Sequence, residues 1–195
     1  MSSFIINLFC IHVFFYWLAV GFYTFFYNQW KNDSPKVIKQ VLINQFVYTP
    51  LYIIPFQFYP TSLPTYNIIW QLPAIIFLTD IIFYICHRYF HYNKILYTLV
   101  HRKHHEYDPP IASAALYAHP IEHLFINLSS TIFAMFIVKA NLTVAIIWII
   151  ISSVNVVVAH IAIPNGQHTL HHRYLKCNYG VGMMLMDRIF NTLKI

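Results

Sequence analysis

Charge is scarce in this chain. Asp and Glu supply 6 of 195 residues, and all charged types together only 9%, against about a quarter in a soluble domain. So thin a polar complement, beside 58% hydrophobic residues, excludes an ordinary water-facing globule and predicts an integral membrane protein. Cysteine is also sparse: Cys10, Cys86 and Cys177 are odd in number and scattered, which excludes a disulfide framework and fits a reducing compartment. There is no internal repeat, low-complexity tract or linker, so one membrane-embedded unit is expected. No positive leader or small-residue cleavage site marks the first apolar stretch, which is therefore read as a span and not as a signal peptide. No H-E-x-x-H motif occurs, so the general base of zinc hydrolysis is missing. No basic patch interleaves with exposed polar sequence, and nucleic acid is excluded as a partner.

What the chain has instead is long apolar runs. A helix crosses the hydrocarbon core with about 20 apolar residues. Phe4–Tyr27 meets that length, and Val41–Tyr59 meets it with Pro50 and Pro55 inside, so that segment is expected to be kinked or broken. Ile68–Cys86 leads straight into His87. Leu124–Val138 and Leu142–Ile163 follow, joined by a hairpin turn at Lys139, Ala140 and Asn141. The expected fold is an all-α membrane bundle of four to five transmembrane segments. Basic residues orient it, because cytoplasmic loops collect Lys and Arg. With full crossing of the second segment, Lys31, Lys36, Lys39, Arg88, Lys94, Arg102, Lys103, Arg173, Lys176, Arg188 and Lys194 fall on the side where the third span ends, and only Lys139 falls opposite. The net charge of +6 thus reads as orientation and attraction to anionic headgroups. The sequons at Asn127 and Asn141 lie in a span and in a turn against the membrane, where glycosylation is not expected.

The second abundance is histidine, 12 in all. Eight fall into three clusters: His87 and His91; His101, His104 and His105; His168, His171 and His172. Spacings of three and four place each cluster on one face of a helix. Neutral imidazole binds Fe, Zn, Cu and Ni, and eight such groups exceed the needs of one ion, so two metal ions are expected. The alternative, a solvated basic face, conflicts with the rarity of ionisable groups beside a membrane. His160, two turns before the third cluster, is expected as a ninth ligand. His12, alone in an apolar run, is read as a hydrogen-bonded packing residue.

Four further polar residues need partners. Asp80 lies two helical turns before His87, rotated by only ~20°, and is expected to accept from a ligand imidazole, or from another histidine across the bundle, and so fix a tautomer. His119 and His123, four apart, are expected to support the metals from outside the ligand set. Pro120 suits a first helical turn and Glu122 its positive end, with outer support of the metals as Glu122's second role. An all-nitrogen two-metal site at a membrane surface suits redox-active iron, with oxygen at the metals and an acyl chain or ring system in an apolar cavity beside them. The expected reaction is oxidation of an unactivated C–H bond.

The segments His87-Arg-Tyr-Phe-His91, His101-Arg-Lys-His-His105-Glu106, Tyr117-Ala-His-Pro-Ile-Glu122 and His168-Thr-Leu-His-His172 resemble the fatty acid hydroxylase superfamily. So do Asn178-Tyr-Gly and Met186-Asp-Arg-Ile-Phe190, and Asp80 matches an acidic position ahead of the first histidine box. The resemblance runs from Leu72 to Lys194, so residues 1–66 read as N-terminal membrane segments and 67–195 as the hydroxylase-like domain. It is nearest to the sterol C-4 methyl oxidases, on the His-His-Glu and Tyr-Ala-His-Pro-x-Glu runs, with sterol C-5 desaturases second. It implies a membrane oxygenase of the endoplasmic reticulum with a histidine-bound di-iron centre on the cytoplasmic face. Molecular oxygen would be the oxidant, the substrate a sterol or fatty-acyl lipid, sphingolipids included, and the reaction hydroxylation or desaturation. No His-Pro-Gly-Gly haem segment occurs, so electrons are expected from a separate cytochrome b5 and its reductase, docking near Lys94, Arg102, Lys103 and Lys176. Three departures weaken the sterol reading: the short His160–His168 connection, Asn155 in place of an acidic residue, and Asn191 in place of a glycine.

Two other classes compete. A non-catalytic lipid-binding or regulatory relative is favoured by loss of a cluster histidine, and none is missing. A metal transporter strings ligands along a path through the bilayer, whereas these gather at span ends.

Overall fold

Helix α1 (Ser3–Phe26) opens a computed structural model that describes residues 3–27, 34–53, 68–164 and 166–195. Its buried side, with Tyr16, Ala19 and Val20, packs along α8 (Leu142–Ala159), while Phe14, Leu18, Phe22 and Phe25 are exposed on the other. An apolar side with no protein against it is what a lipid-facing helix presents. The chain continues through α2 (Pro35–Ile43) and α3 (Thr49–Ile53), α4 (Ile68–Tyr92), α5 (Lys94–Leu99), α6 (Pro120–Glu122), α7 (Ser129–Val138), α8, α9 (Gln167–Tyr174) and α10 (Leu185–Ile189). The described residues contain no strand. Four stretches are long and apolar enough to cross a membrane: Ile5–Phe26, Ile69–Tyr92, Pro120–Val138 and Leu142–Ala159.

The expected second span is not among these four. Its helical stretch starts at Pro35, six residues before Val41, and carries Lys36, Lys39, Gln40, Asn44, Gln45 and Thr49, too polar a set for a lipid-exposed helix. Three of these side chains are buried against protein: Asn44 donates to the carbonyls of Leu116 and Ala118 at 2.9 and 3.1 Å, and Gln45 and Thr49 face histidines. The part of the segment that is described holds a π-helical turn, Asn44–Tyr48, with only Thr49 between it and Pro50. Pro50 has no N–H for the Phe46 carbonyl, so the ladder loosens to i→i+5 there. Pro55 and residues 56–59 lie outside the described residues.

The far end of the bundle is the α7–α8 hairpin. Lys139 takes a left-handed conformation, φ 51°, and Asn141 caps α8 by accepting from the Val144 N–H at 2.9 Å. Gln71 of α4 closes the turn, donating to the Lys139 carbonyl at 3.0 Å and accepting from the Asn141 N–H at 3.3 Å. Lys36 pairs with Glu106 at the opposite end, at 2.6 Å. Helices α1, α4 and α8 thus run toward the Glu106 end, and Pro120–Val138 runs back.

Candidate metal centre

Every element that carries a cluster histidine ends or turns at this one end. His87 and His91 occupy the last two turns of α4. Asn93 then caps α5, accepting from the N–H groups of Ile95 and Leu96 at 3.0 and 3.1 Å, and turns the chain back. The 3₁₀ helix His101–Glu106 follows. His160 is the C-terminal cap of α8, and His168, His171 and His172 lie on α9.

The nine histidines converge as two groups. His87, His91, His101, His105 and His171 form one, His104, His160, His168 and His172 the other, and within each group the ligand atoms lie within 4.8 Å of one another. The three sequence clusters are not three claws, as their spacing predicts. His104 and His105 are chain neighbours that point into different groups, and so are His171 and His172. Adjacent residues diverge by about 100° on an α-helix and about 120° on a 3₁₀ helix, so each of these turns feeds two sites. The groups adjoin: the His105 and His172 rings are 4.5 Å apart.

The donor set fits a cation. His87 Nδ1 donates to the Tyr179 carbonyl at 2.6 Å, His171 Nδ1 to Cys177 at 2.7 Å, His160 Nδ1 to Val156 at 2.8 Å and His172 Nδ1 to Tyr107 at 2.9 Å. A carbonyl only accepts, so each Nδ1 carries the proton and each Nε2 is a bare lone pair. Those Nε2 atoms nevertheless crowd together: His87 to His101 at 3.1 Å, His171 to His91 at 3.1 Å, His160 to His168 at 3.2 Å and His172 to His168 at 3.1 Å. Several imidazole nitrogens thus converge on each of these lone pairs, and a cation shared by the group satisfies them together. Protonation is no substitute, because burial pushes His101 and His160 down to about 3 and lowers His168, His171 and His172 through burial first and neighbouring imidazoles second.

Outside the nine, one carboxylate reaches a ring. Glu122 Oε2 lies 2.9 Å from His101 Nδ1, both groups almost wholly buried. Asp80 does not reach an imidazole as expected; it accepts from the Met186 N–H at 3.2 Å. Helix α10 packs on α4 there, so its first turn, and not a ligand ring, comes within reach of Asp80. His119 caps α6, accepting from the Ile121 N–H at 3.2 Å, and is outside both groups. His123 is outside them too, with Nε2 2.9 Å from the Thr49 hydroxyl, because Pro120 starts the helix with Glu122 toward the histidines and His123 turned toward α3. Glu106 serves neither group; it accepts from Lys36 at 2.6 Å and from the Tyr117 hydroxyl at 2.7 Å, and the Lys36 hydrogen bond holds its carboxyl below the usual range.

An apolar cavity of about 290 Å³ lies between α1, α4, α7 and α8. Two of its lining residues are next to the histidines. The Phe83 ring is 5.2 Å from that of His87, and the Val156 carbonyl is the one that His160 holds.

The family profile for fatty acid hydroxylase covers residues 72–192, a stretch that holds all nine converging histidines. The chain belongs to the fatty acid hydroxylase family. A fatty acid hydroxylase of Mycosarcoma maydis is 36% identical over 66% of this chain and 34% of its own length. A C-4 methylsterol oxidase of Schizosaccharomyces pombe is 29% identical over 66% of this chain and 49% of its own. A methylsterol monooxygenase of Arabidopsis thaliana is 29% identical over 89% of this chain and 76% of its own. The chain therefore spans a third to a half of the first two relatives. No solved structure matches it.

The family's closing segment does work that the linear motif does not reveal. Buried Asp187 accepts from the Tyr179 N–H at 2.8 Å, the Gly180 N–H at 2.6 Å and the Thr192 hydroxyl at 2.7 Å. It thereby fixes the loop whose Tyr179 carbonyl orients His87. A Cβ on Gly180 would come within 2.8 Å of the Asp187 carboxylate, so the approach requires glycine. The signal in the sequence was an aspartate in an apolar chain, and it named no partner. Asn191, which departs from the glycine of the resemblance, has φ 53°, a conformation that asparagine adopts more readily than other side-chain-bearing residues.

Proposed function

We propose that this fatty acid hydroxylase family member is a membrane-bound lipid oxidoreductase with two irons, one held by His87, His91, His101, His105 and His171 and the other by His104, His160, His168 and His172. The observation that carries the reading is the convergence of nine imidazoles, seven of them buried and the other two half-buried, beside an apolar cavity. Iron bound there supplies the activation of dioxygen for attack on a C–H bond. The chain's own residues do the rest. Backbone carbonyls hold His87, His160, His171 and His172 in register, Glu122 lies against His101, and the cavity presents an apolar substrate to the metals.

The substrate is a sterol or fatty-acyl lipid, hydroxylated or desaturated. The Tyr117-Ala-His-Pro-Ile-Glu122 run and the similarity to proteins named as methylsterol oxidases favour sterol C-4 methyl oxidation. Electrons come from a separate cytochrome b5-type protein and its reductase. The site faces the cytoplasm from the endoplasmic reticulum, where exposed Lys94, Arg102 and Lys176 give an acidic donor a docking surface. Lys103 contributes less than its sequence position suggests, since it donates to Gln40 at 2.6 Å. The test is metal content with Mössbauer spectroscopy on protein purified in mild detergent after growth on labelled iron. Two coupled irons per chain are expected; one zinc, or no metal under conditions that load a relative, overturns the reading.

A further inference from the structure

Two histidines line the apolar cavity, and they differ in what their rings have left to offer. His12 is saturated. The Ser153 hydroxyl spends its hydrogen on the Ile149 carbonyl at 2.6 Å, so at 2.8 Å it can only accept from His12 Nδ1. His12 Nε2 is then the acceptor and takes a hydrogen from Gln45 at 3.4 Å, while the Gln45 carbonyl accepts from the Trp17 indole at 2.9 Å.

His123 follows the same logic to a different end. The Thr49 hydroxyl donates to the Asn44 carbonyl at 3.0 Å, so at 2.9 Å from the ring it can only accept, and His123 Nε2 must carry the proton. Nδ1 is left as a lone pair. The residue is wholly buried and Nδ1 has no partner. A buried acceptor without a donor is destabilising, and a ligand donor relieves that cost. Thr49 meets the His123 ring, and Asn127, Ser130 and Thr131, four, seven and eight residues on, line the cavity from the side of the helix that His123 occupies, whereas Trp148 stands among Ile75, Ile132, Val144 and Ala145 toward the hairpin end. A polar stripe that starts at His123 thus runs along otherwise apolar walls. Glu122, the neighbour of His123, is the residue that reaches His101.

We infer that His123 is a specificity-determining residue, whose Nδ1 accepts a hydrogen bond from the hydroxyl of a lipid alcohol bound in the cavity with its hydroxyl toward the metals and its apolar body toward Trp148. The inference rests on the cavity being the substrate site of the proposed oxidoreductase. It makes a hydrogen-bond donor at the metal end a requirement, which a plain hydrocarbon chain or an ether does not meet. Trp148 Nε1 is also buried without a partner, but an indole N–H only donates, so it takes an alcohol or an ether alike.

The experiment is equilibrium binding of fluorescent probes to the full chain in nanodiscs. Two skeletons are used, a linear polyene (parinaryl) and a sterol (dehydroergosterol), each as the alcohol, the methyl ether and the deoxy hydrocarbon. For the skeleton that enters, the alcohol binds about five- to tenfold more tightly than the ether, the worth of one net hydrogen bond. The preference disappears in His123→Phe and persists in His123→Gln, which keeps an acceptor. The three-way comparison on the unmodified chain decides the matter if His123→Phe does not fold. Equal binding of alcohol and ether, both above the hydrocarbon, moves the polar end to Trp148 and overturns the inference. Equal binding of all three also overturns it, and either result leaves the oxidoreductase reading standing. Binding of no probe removes the cavity as a lipid site and the inference with it. Alcohol preference in a chain that holds no iron overturns the proposed function and not the role of His123.

Discussion

The two histidine groups draw on overlapping segments and are braced in different ways. The five-histidine group leans on the C-terminal loop: Tyr179 holds His87, Cys177 holds His171, and Glu122 lies against His101. The four-histidine group leans on α8 and the loop after the 3₁₀ helix, through the carbonyls of Val156 and Tyr107. Only the first has a carboxylate on a ring, and only the first depends on a loop anchored by a single buried aspartate. The difference teaches that one group can be loosened without the other, even with the sites adjoining.

The largest expected break comes from the ligands. His101→Ala is expected to remove the metal of the five-histidine group and His160→Ala that of the four, each leaving about one ion per chain in place of the two proposed, with turnover below detection. Metal analysis of the purified variants checks this, and full loading of either variant contradicts the assignment. Asp187→Asn comes next. Replacing a carboxylate that takes three hydrogen bonds destabilises by about 2–4 kcal/mol, read as a lowered thermal midpoint, and the five-histidine group loses metal first on titration with a chelator. Equal loss from both groups removes the distinction between them. Glu122→Gln keeps the shape of the side chain and removes its charge from His101. The expected result is a 10–100-fold weaker metal affinity in the five-histidine group, with a smaller loss in the other. The smallest effect belongs to the far end, where Asn141→Ala removes the α8 cap, at about 1 kcal/mol, with metal content unchanged. A change in metal content there would show that the hairpin and the site are coupled.

Much of the fold was legible because lipid imposes a simple rule. A span must be long, apolar and helical, and α1, α4, the Pro120–Val138 stretch and α8 all announce themselves by that rule. The segment between α1 and α4 was harder to read, since its polar residues are spent on Leu116, Ala118, His12 and His123, partners 30 to 80 positions away that no local pattern reveals. Asp80 misled for a related reason. Its helical phase points toward the His87 side of α4, but a carboxylate bonds to whatever backbone arrives there, and what arrives is Met186.

By itself the sequence determined that the chain enters a membrane, that its histidines gather at one end, and that their residue type and number suit metal. Composition and spacing suffice for these, because both act along a single helix. Only the tertiary structure decided that His104 and His105 part company, that Asp187 governs His87 through Tyr179, and that His12 is satisfied where His123 is not. Each of these depends on which donor meets which acceptor across elements, and a hydroxyl that has already given its proton to a carbonyl leaves no mark in the order of residues.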